Sequence, residues 1–247
     1  MVSVRVLILR VSGTNCDLET QFAFEQVGAY ADRVHLNRIC ENPAILDQYQ
    51  IFVVPGGFSY GDDVAAGKIL ALQLTHHLGN ALHKFRARGN LILGICNGFQ
   101  VLLKAGLILP PDEDGAVATL ALNESGHFQS QWTRLVARPE KCPFLTGLSE
   151  LELPIAHAEG RFVARQPWIL RGLEQTGQVV LRYTDNPTGS EGAVAGLCDV
   201  SGHVLGLMPH PERYILPTQH PRWTRHSPVG EPDGLRLFRN AVTYFVE

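Results

Sequence analysis

Leu91-Ile-Leu-Gly-Ile-Cys-Asn-Gly98 decides how this chain is read. Leu91–Ile95 is a short apolar run, the pattern of a strand buried on both faces of a parallel sheet. It runs into Gly-x-Cys-x-Gly. Beyond it, Gly98–Ala105 has helical spacing and stops near Gly106. A strand that turns sharply into a helix through Gly-x-Cys-x-Gly is the cysteine form of the nucleophile elbow. Gly94 and Gly98 remove the side chains that would collide where strand and helix cross. Cys96 then sits at a helix N-terminus, whose partial positive charge favours a thiolate. The Asn97 amide points the same way and can bind an oxyanion. A cysteine without this context is usually a buried packing residue, and the other four, Cys16, Cys40, Cys142 and Cys198, are assigned to packing or surface.

Outward from the elbow, strands and helices alternate. Val4–Leu9 is a β-branched run, Leu18–Val27 has helical spacing up to Gly28, and Arg33–Leu36 is a second strand. Ile51–Val54 is fully apolar and bounded by Pro55-Gly56-Gly57. Asp62 and Asp63 are placed at the N-terminus of a long helix that runs to Arg88. Such alternation predicts a mostly parallel, flavodoxin-like α/β sheet flanked by helices. The second half changes character. Trp132–Ala137, Leu151–Ala156, Val179–Tyr183, Ala193–Cys198 and Val204–Leu207 read as strands, with a hairpin turn at Asp199–Gly202. They predict an antiparallel extension of the same sheet. Leu216–Gly234 reads as a long loop and Leu235–Phe245 as a closing helix. No linker or repeat appears, so residues 1–247 are expected to form a single domain.

Composition narrows the function classes. Apolar residues make up 45% and the net charge is −3 with no basic run, which disfavours a nucleic-acid partner. The apolar N-terminus is short and broken by Arg5, so neither a signal peptide nor a membrane span is expected. Five cysteines without a CxxC pair argue against a disulfide scaffold and for a reducing, cytoplasmic compartment. No histidine has a partner at metal-ligand spacing, so no metal is assigned. Gly61 to Gly67-Lys68 is one residue too long for a P-loop and has Ile69 at the Ser/Thr position. No cofactor is therefore expected in this chain.

A thiol nucleophile needs an imidazole to move its proton. His210 stands out of ten histidines because of Met208-Pro-His-Pro-Glu-Arg213. Two prolines are expected to hold this segment extended, so that His210 and Glu212 face the same side and the carboxylate orients the ring. The segment follows Val204–Leu207 and can reach the carboxyl edge of the sheet, where α/β folds bind ligands. The loop Pro55-Gly-Gly-Phe-Ser-Tyr-Gly61 offers a second oxyanion donor at Gly57 or Phe58. Gln100 lies one helical turn beyond Cys96, where it either touches the substrate or bonds the neighbouring loop.

Gly-Ile-Cys-Asn-Gly-Phe-Gln (94–100) and Met-Pro-His-Pro-Glu-Arg (208–213) resemble the class I, triad-type glutamine amidotransferases. More narrowly, the chain resembles the glutaminase components of phosphoribosylformylglycinamidine synthase. Gly-Thr-Asn-Cys-Asp (13–17), Pro-Gly-Gly-Phe-Ser-Tyr-Gly-Asp (55–62), Pro-Ile-Ala-His-Ala-Glu-Gly-Arg (154–161) and Asn-Pro-Thr-Gly-Ser (186–190) carry that likeness. It departs from the pattern at Asp63 and Ala158, where Tyr and Gly are commoner, and in the loop Leu216–Gly234. The resemblance implies a Cys96/His210/Glu212 triad, oxyanion contacts at the Gly57 loop, and glutamine held by the backbone around His157, Ala158 and Glu159. It also implies a synthetase partner carrying ATP and Mg, and a small third subunit. The rival functions are an amidotransferase serving another acceptor, a flavodoxin-like cysteine hydrolase without glutamine specificity, and a non-catalytic module.

Overall fold

The computed structural model describes residues 3–225 and 230–246. Its first half is built from β1 (Arg5–Arg10), α1 (Asp17–Gln26), β2 (Tyr30–His35), α2 (Leu36–Glu41), β3 (Ile51–Val54), α3 (Lys68–Gln73), α4 (Gly79–Ala87), β4 (Leu91–Ile95) and α5 (Asn97–Lys104). The second half adds β5 (Ala118–Ala121), β6 (Gln129–Ala137), β7 (Glu150–His157), β8 (Arg161–Ala164), α6 (Pro167–Gln175), β9 (Val179–Tyr183), β10 (Val194–Cys198), β11 (Val204–Leu207) and α7 (Asp233–Thr243).

Nine strands form one sheet in the order β2-β1-β3-β4-β11-β10-β9-β6-β7. From β2 to β11 every pairing is parallel, and from β11 to β7 every pairing is antiparallel. The expected parallel sheet with an antiparallel extension is therefore what the chain forms. All residues of β3, β4 and β11 are buried, as their unbroken apolar runs require. Because β11 lies parallel to β4, with Leu207 opposite Ile95, the segments that leave the two strands emerge at the same edge. That register brings residues 96 and 210 together. Around the sheet, α1 and α7 meet through an edge-on Phe24–Phe238 pair with ring centroids 4.9 Å apart. On the β4 side, α3 packs against α5.

Three expectations are corrected. The long helix after Asp62 does not exist as such. Tyr60, Gly61 and Asp62 have positive φ, α3 starts only at Lys68 behind Gly67 at φ +70°, and a π-helical turn at Leu74–Leu78 separates it from α4. Asp62 caps no helix: its carboxylate accepts from Gly67 N at 3.0 Å and Asn97 Nδ2 at 3.1 Å, holding a loop closed. The second strand begins earlier, at Tyr30, and Leu36 opens a helix instead of ending the strand. Patterning also passed over β5 and β8, which pair antiparallel as a separate two-stranded sheet, and over α2 and α6. The hairpin turn at Asp199–Gly202 is present, closed by Gly202 N–H to the Asp199 carbonyl at 3.0 Å. Within the long loop, Pro217–Gln219 forms a 3-10 turn, while residues 226–229, including His226, lie outside the described residues. Among the described residues no helix is long and apolar enough to cross a membrane.

Candidate active site

The elbow is built as a close crossing. Cys96 sits between β4 and α5 at φ 51° and ψ −106°, a conformation that L-residues rarely adopt and that costs about 1–3 kcal/mol. The surroundings hold it there: Cys96 N–H donates to the Leu207 carbonyl at 2.8 Å. A Cβ on Gly98 would run into the Val54 carbonyl, and one on Gly94 would stand 2.7 Å from the Gly98 oxygen. Larger residues at either position would push α5 off the sheet. The Cys96 sulfur faces a pocket of about 320 Å³ and lies 3.8 Å from the Ala156 carbonyl. As the first residue of α5, Asn97 has an amide without an intrahelical acceptor.

His210 follows β11 and is anchored by its own N–H to the Pro154 carbonyl at 2.8 Å. Its Nδ1 is 2.6 Å from Glu212 Oε1, and both side chains are buried. The contact is not made along an extended chain. Pro211–Arg213 is a single 3-10 turn, in which Pro211 takes the first helical position, where its missing N–H and preset φ fit. Burial alone disfavours the imidazolium, but the Glu212 carboxylate and the Cys96 and Cys16 sulfurs outweigh it. The His210 pKa therefore stands well above its ordinary value. His210 Nε2 has no hydrogen-bond partner among the described residues.

The glycine loop is pinned to the elbow by the Asn97 side chain. Asn97 Oδ1 accepts from Ser59 N at 3.1 Å, while Nδ2 donates to Asp62 Oδ1 at 3.1 Å and to Gln100 Oε1 at 3.0 Å. Phe58 N–H is committed to the Gly13 carbonyl at 2.9 Å, and the half-exposed Phe58 ring forms part of the pocket wall. Gly57, at φ +143°, has no room for a Cβ, which would stand 2.7 Å from the Gly13 oxygen. Gln100 lines the same pocket, with Nε2 donating to the Glu159 carbonyl at 2.6 Å, so it does bond the neighbouring loop.

His157, Ala158 and Glu159 form the opposite wall. Their turn is held by Asn123, a residue with no distinguishing sequence context. Asn123 N–H donates to the Ala158 carbonyl at 2.7 Å, its Nδ2 donates to the His157 carbonyl at 2.8 Å, and its Oδ1 accepts from Gly160 N at 3.2 Å. Burial, reinforced by the His210 charge, pushes the His157 pKa down to about 4, so this ring is a neutral wall.

One cysteine was misplaced by sequence. Cys16, assigned to packing or surface, lines the pocket beside His210, and Arg213 Nη2 stands 3.2 Å from its sulfur. Burial pushes the Cys16 thiol up, against the pull of His210. The structure thus brings Gly57, Phe58, Cys96, Gln100, His157, Ala158, Glu159 and His210 to one pocket, with Asn97 and Glu212 directly behind it. Asn15, Asp62 and Arg213 join them without having been singled out as site residues.

Comparison with known proteins places this arrangement. The CobB/CobQ-like glutamine amidotransferase domain matches residues 3–245. The phosphoribosylformylglycinamidine synthase subunit PurQ of Dehalococcoides mccartyi is 42% identical over 252 residues, covering 99% of this chain and 98% of its own. The subunit of the same name from Archaeoglobus fulgidus is 38% identical over 98% of this chain and 97% of its own. Among solved structures, a chain of PurLQS from Thermotoga maritima superposes with a TM-score of 0.79 at 31% identity, covering 99% of this chain and all of that one. The chain is a member of the glutamine amidotransferase family, in the branch of the phosphoribosylformylglycinamidine synthase subunit PurQ.

Proposed function

We propose that this chain is the glutaminase of phosphoribosylformylglycinamidine synthase. It hydrolyses L-glutamine to glutamate and ammonia and delivers the ammonia to a synthetase subunit in purine biosynthesis. Its relatives carry the name of that synthase, and one observation supports the chemistry most directly. A cysteine at a strained strand-to-helix turn shares a pocket with a buried imidazole–carboxylate pair 2.6 Å apart.

In this mechanism His210, oriented by Glu212, takes the Cys96 proton, and the thiolate attacks the side-chain amide of glutamine. Negative charge on the amide oxygen falls to the Asn97 and Gly57 N–H groups. Phe58 is left to shape the wall, because its amide already serves Gly13. His210 then protonates the departing ammonia, and the thioester is hydrolysed by a water that His210 activates. Gln100 and the turn at His157, Ala158 and Glu159 frame the glutamine backbone. Residues 1–247 act as one glutaminase unit in the cytoplasm. ATP and Mg belong to the synthetase partner, and a small third subunit completes the assembly.

The test is covalent labelling with a glutamine-derived diazoketone in the presence of the synthetase, read by peptide mass spectrometry. A single adduct on Cys96 with parallel loss of glutamate release is the expected result. Label on another residue, or none, refutes the mechanism.

A further inference from the structure

Behind the imidazole lies a second constellation. The Cys16 sulfur, a His210 ring nitrogen and a Glu212 carboxylate oxygen lie within 4.8 Å of one another, and all three residues are buried. Cys16 comes from the loop after β1 and the other two from the turn after β11, so no spacing along the chain announces the group. One of its polar atoms, Glu212 Oε2, has no hydrogen-bond partner among the described residues. Gly56 leaves the cleft open: a Cβ there would stand 3.0 Å from His210 Cε1 and 3.1 Å from the Cys16 sulfur.

Thiolate, imidazole and carboxylate form a donor set suited to a borderline-soft divalent cation. Zinc takes sulfur at about 2.3 Å and nitrogen or oxygen at about 2.0–2.2 Å, which puts tetrahedral ligand atoms roughly 3.3–3.8 Å apart. The ligand atoms lie within 4.8 Å of one another, so side-chain rotations that draw in the Cys16 sulfur and part the 2.6 Å His210–Glu212 contact bring them to that spacing. Arg213 opposes a cation through its Nη2 contact with Cys16. It is partly exposed, and its Nε lies 3.6 Å from the Glu19 carboxylate, which offsets part of its charge.

We propose that Cys16, His210 and Glu212 form a binding site for one soft divalent cation, zinc foremost, and that filling it switches the enzyme off. The ion replaces the Cys16 thiol proton and the proton held between His210 and Glu212. Both protons leave to solvent and no electrons move. Cys96 is not a ligand, and water takes the position open to the pocket. The inhibitory consequence rests on the glutaminase proposal above, whereas the metal site does not, so the test reads binding and activity separately.

Full-length protein, stripped with a chelator, is titrated with Co²⁺ and then with Zn²⁺. A thiolate-to-cobalt charge-transfer band at one equivalent, displaced by Zn²⁺, is expected both in the unsubstituted protein and in Cys96→Ala. In Cys16→Ser the band should vanish and affinity should fall at least tenfold. Loss of the band in Cys96→Ala, or no stoichiometric binding at all, overturns the site. Should Cys16→Ser fail to fold, X-ray absorption of the zinc-loaded, unsubstituted protein decides: one sulfur ligand supports the proposal, while none or two refutes it. Glutamate release is then measured across the same zinc titration. Inhibition that tracks occupancy is expected, and full activity at saturation refutes the switch while leaving the binding result intact.

Discussion

Glu212→Gln is the substitution that separates a catalytic pair from a merely structural one. It keeps the shape of the side chain and removes its charge. In the structure Glu212 Oε1 meets His210 Nδ1 at 2.6 Å in a site where the Glu212 side chain is 0% exposed, so solvent cannot replace the lost charge. A hydrogen bond to a charged group is worth about 1.5–3 kcal/mol. An amide adds a second penalty: it can donate as well as accept, which lets the ring settle with its proton on Nε2 and so unable to take one from Cys96. Together these remove roughly 3–5 kcal/mol of transition-state stabilisation, or about 10²–10⁴ in rate. The assay is glutamate release with the synthetase present, giving kcat and KM separately, with a thermal melt as control. The fall should lie in kcat, with KM within a few-fold and the fold intact. The pH dependence of the melt gives an independent sign. Because Glu212 holds the His210 pKa above its ordinary value, the charged pair stabilises the fold fully below about pH 6.5, and this contribution is lost as pH rises through the folded-state value. The stability gap between the unsubstituted protein and Glu212→Gln should therefore narrow toward alkaline pH. A loss in kcat smaller than about fivefold would refute the assigned role of Glu212.

Three further substitutions or titrations probe the rest of the site. Cys96→Gly should abolish glutamate release yet raise the melting temperature by a few degrees, since relief of the strained φ/ψ outweighs the added chain entropy by about 1 kcal/mol; a lower melting temperature would show that the turn stores no strain. Asn97→Ala unpins the glycine loop by removing bonds to Ser59, Asp62 and Gln100, and should lower kcat by roughly 10–100-fold while leaving the Cys96 backbone in place; unchanged kcat would mean that the loop is positioned without it. His157 should stay neutral down to about pH 4 when its ring resonances are followed by NMR. Because burial depresses this base, the unfolded chain takes up its proton first, so stability should drop by about 3 kcal/mol as pH falls from roughly 6.5 to 4. A substitution of His157 by Phe that leaves this acid limb unchanged would contradict that origin.

Local sequence determined the elements whose chemistry is local. The runs 51–54, 91–95, 179–183 and 204–207 are strands at the predicted bounds; all but 179–183, which carries Arg182, are uninterrupted apolar stretches, which between turn residues have no alternative but burial on both faces of a sheet. The elbow was legible for a similar reason: only glycine tolerates the backbone approach seen at positions 94 and 98. Short elements on the periphery were not. Ala118–Ala121 and Arg161–Ala164 are strands because they pair with each other, and a four-residue alternation carries too little pattern to show it. The helix expected after Asp62 failed because its carboxylate found partners in Gly67 and Asn97, a contact between segments that no local propensity records.

The same division holds at the site. Sequence alone marked Cys96 by its glycines and His210 and Glu212 by their prolines. It gave no role at the site to Cys16, Arg213 or Asn123, whose contacts come from neighbours far along the chain. What only the tertiary structure decided is the parallel pairing of β4 with β11 in the register Ile95–Leu207. A one-residue slip there would turn every side chain of β11 to the other face and carry the imidazole away from the sulfur. Register is set by burial across the whole sheet, a collective property that no single stretch of residues contains.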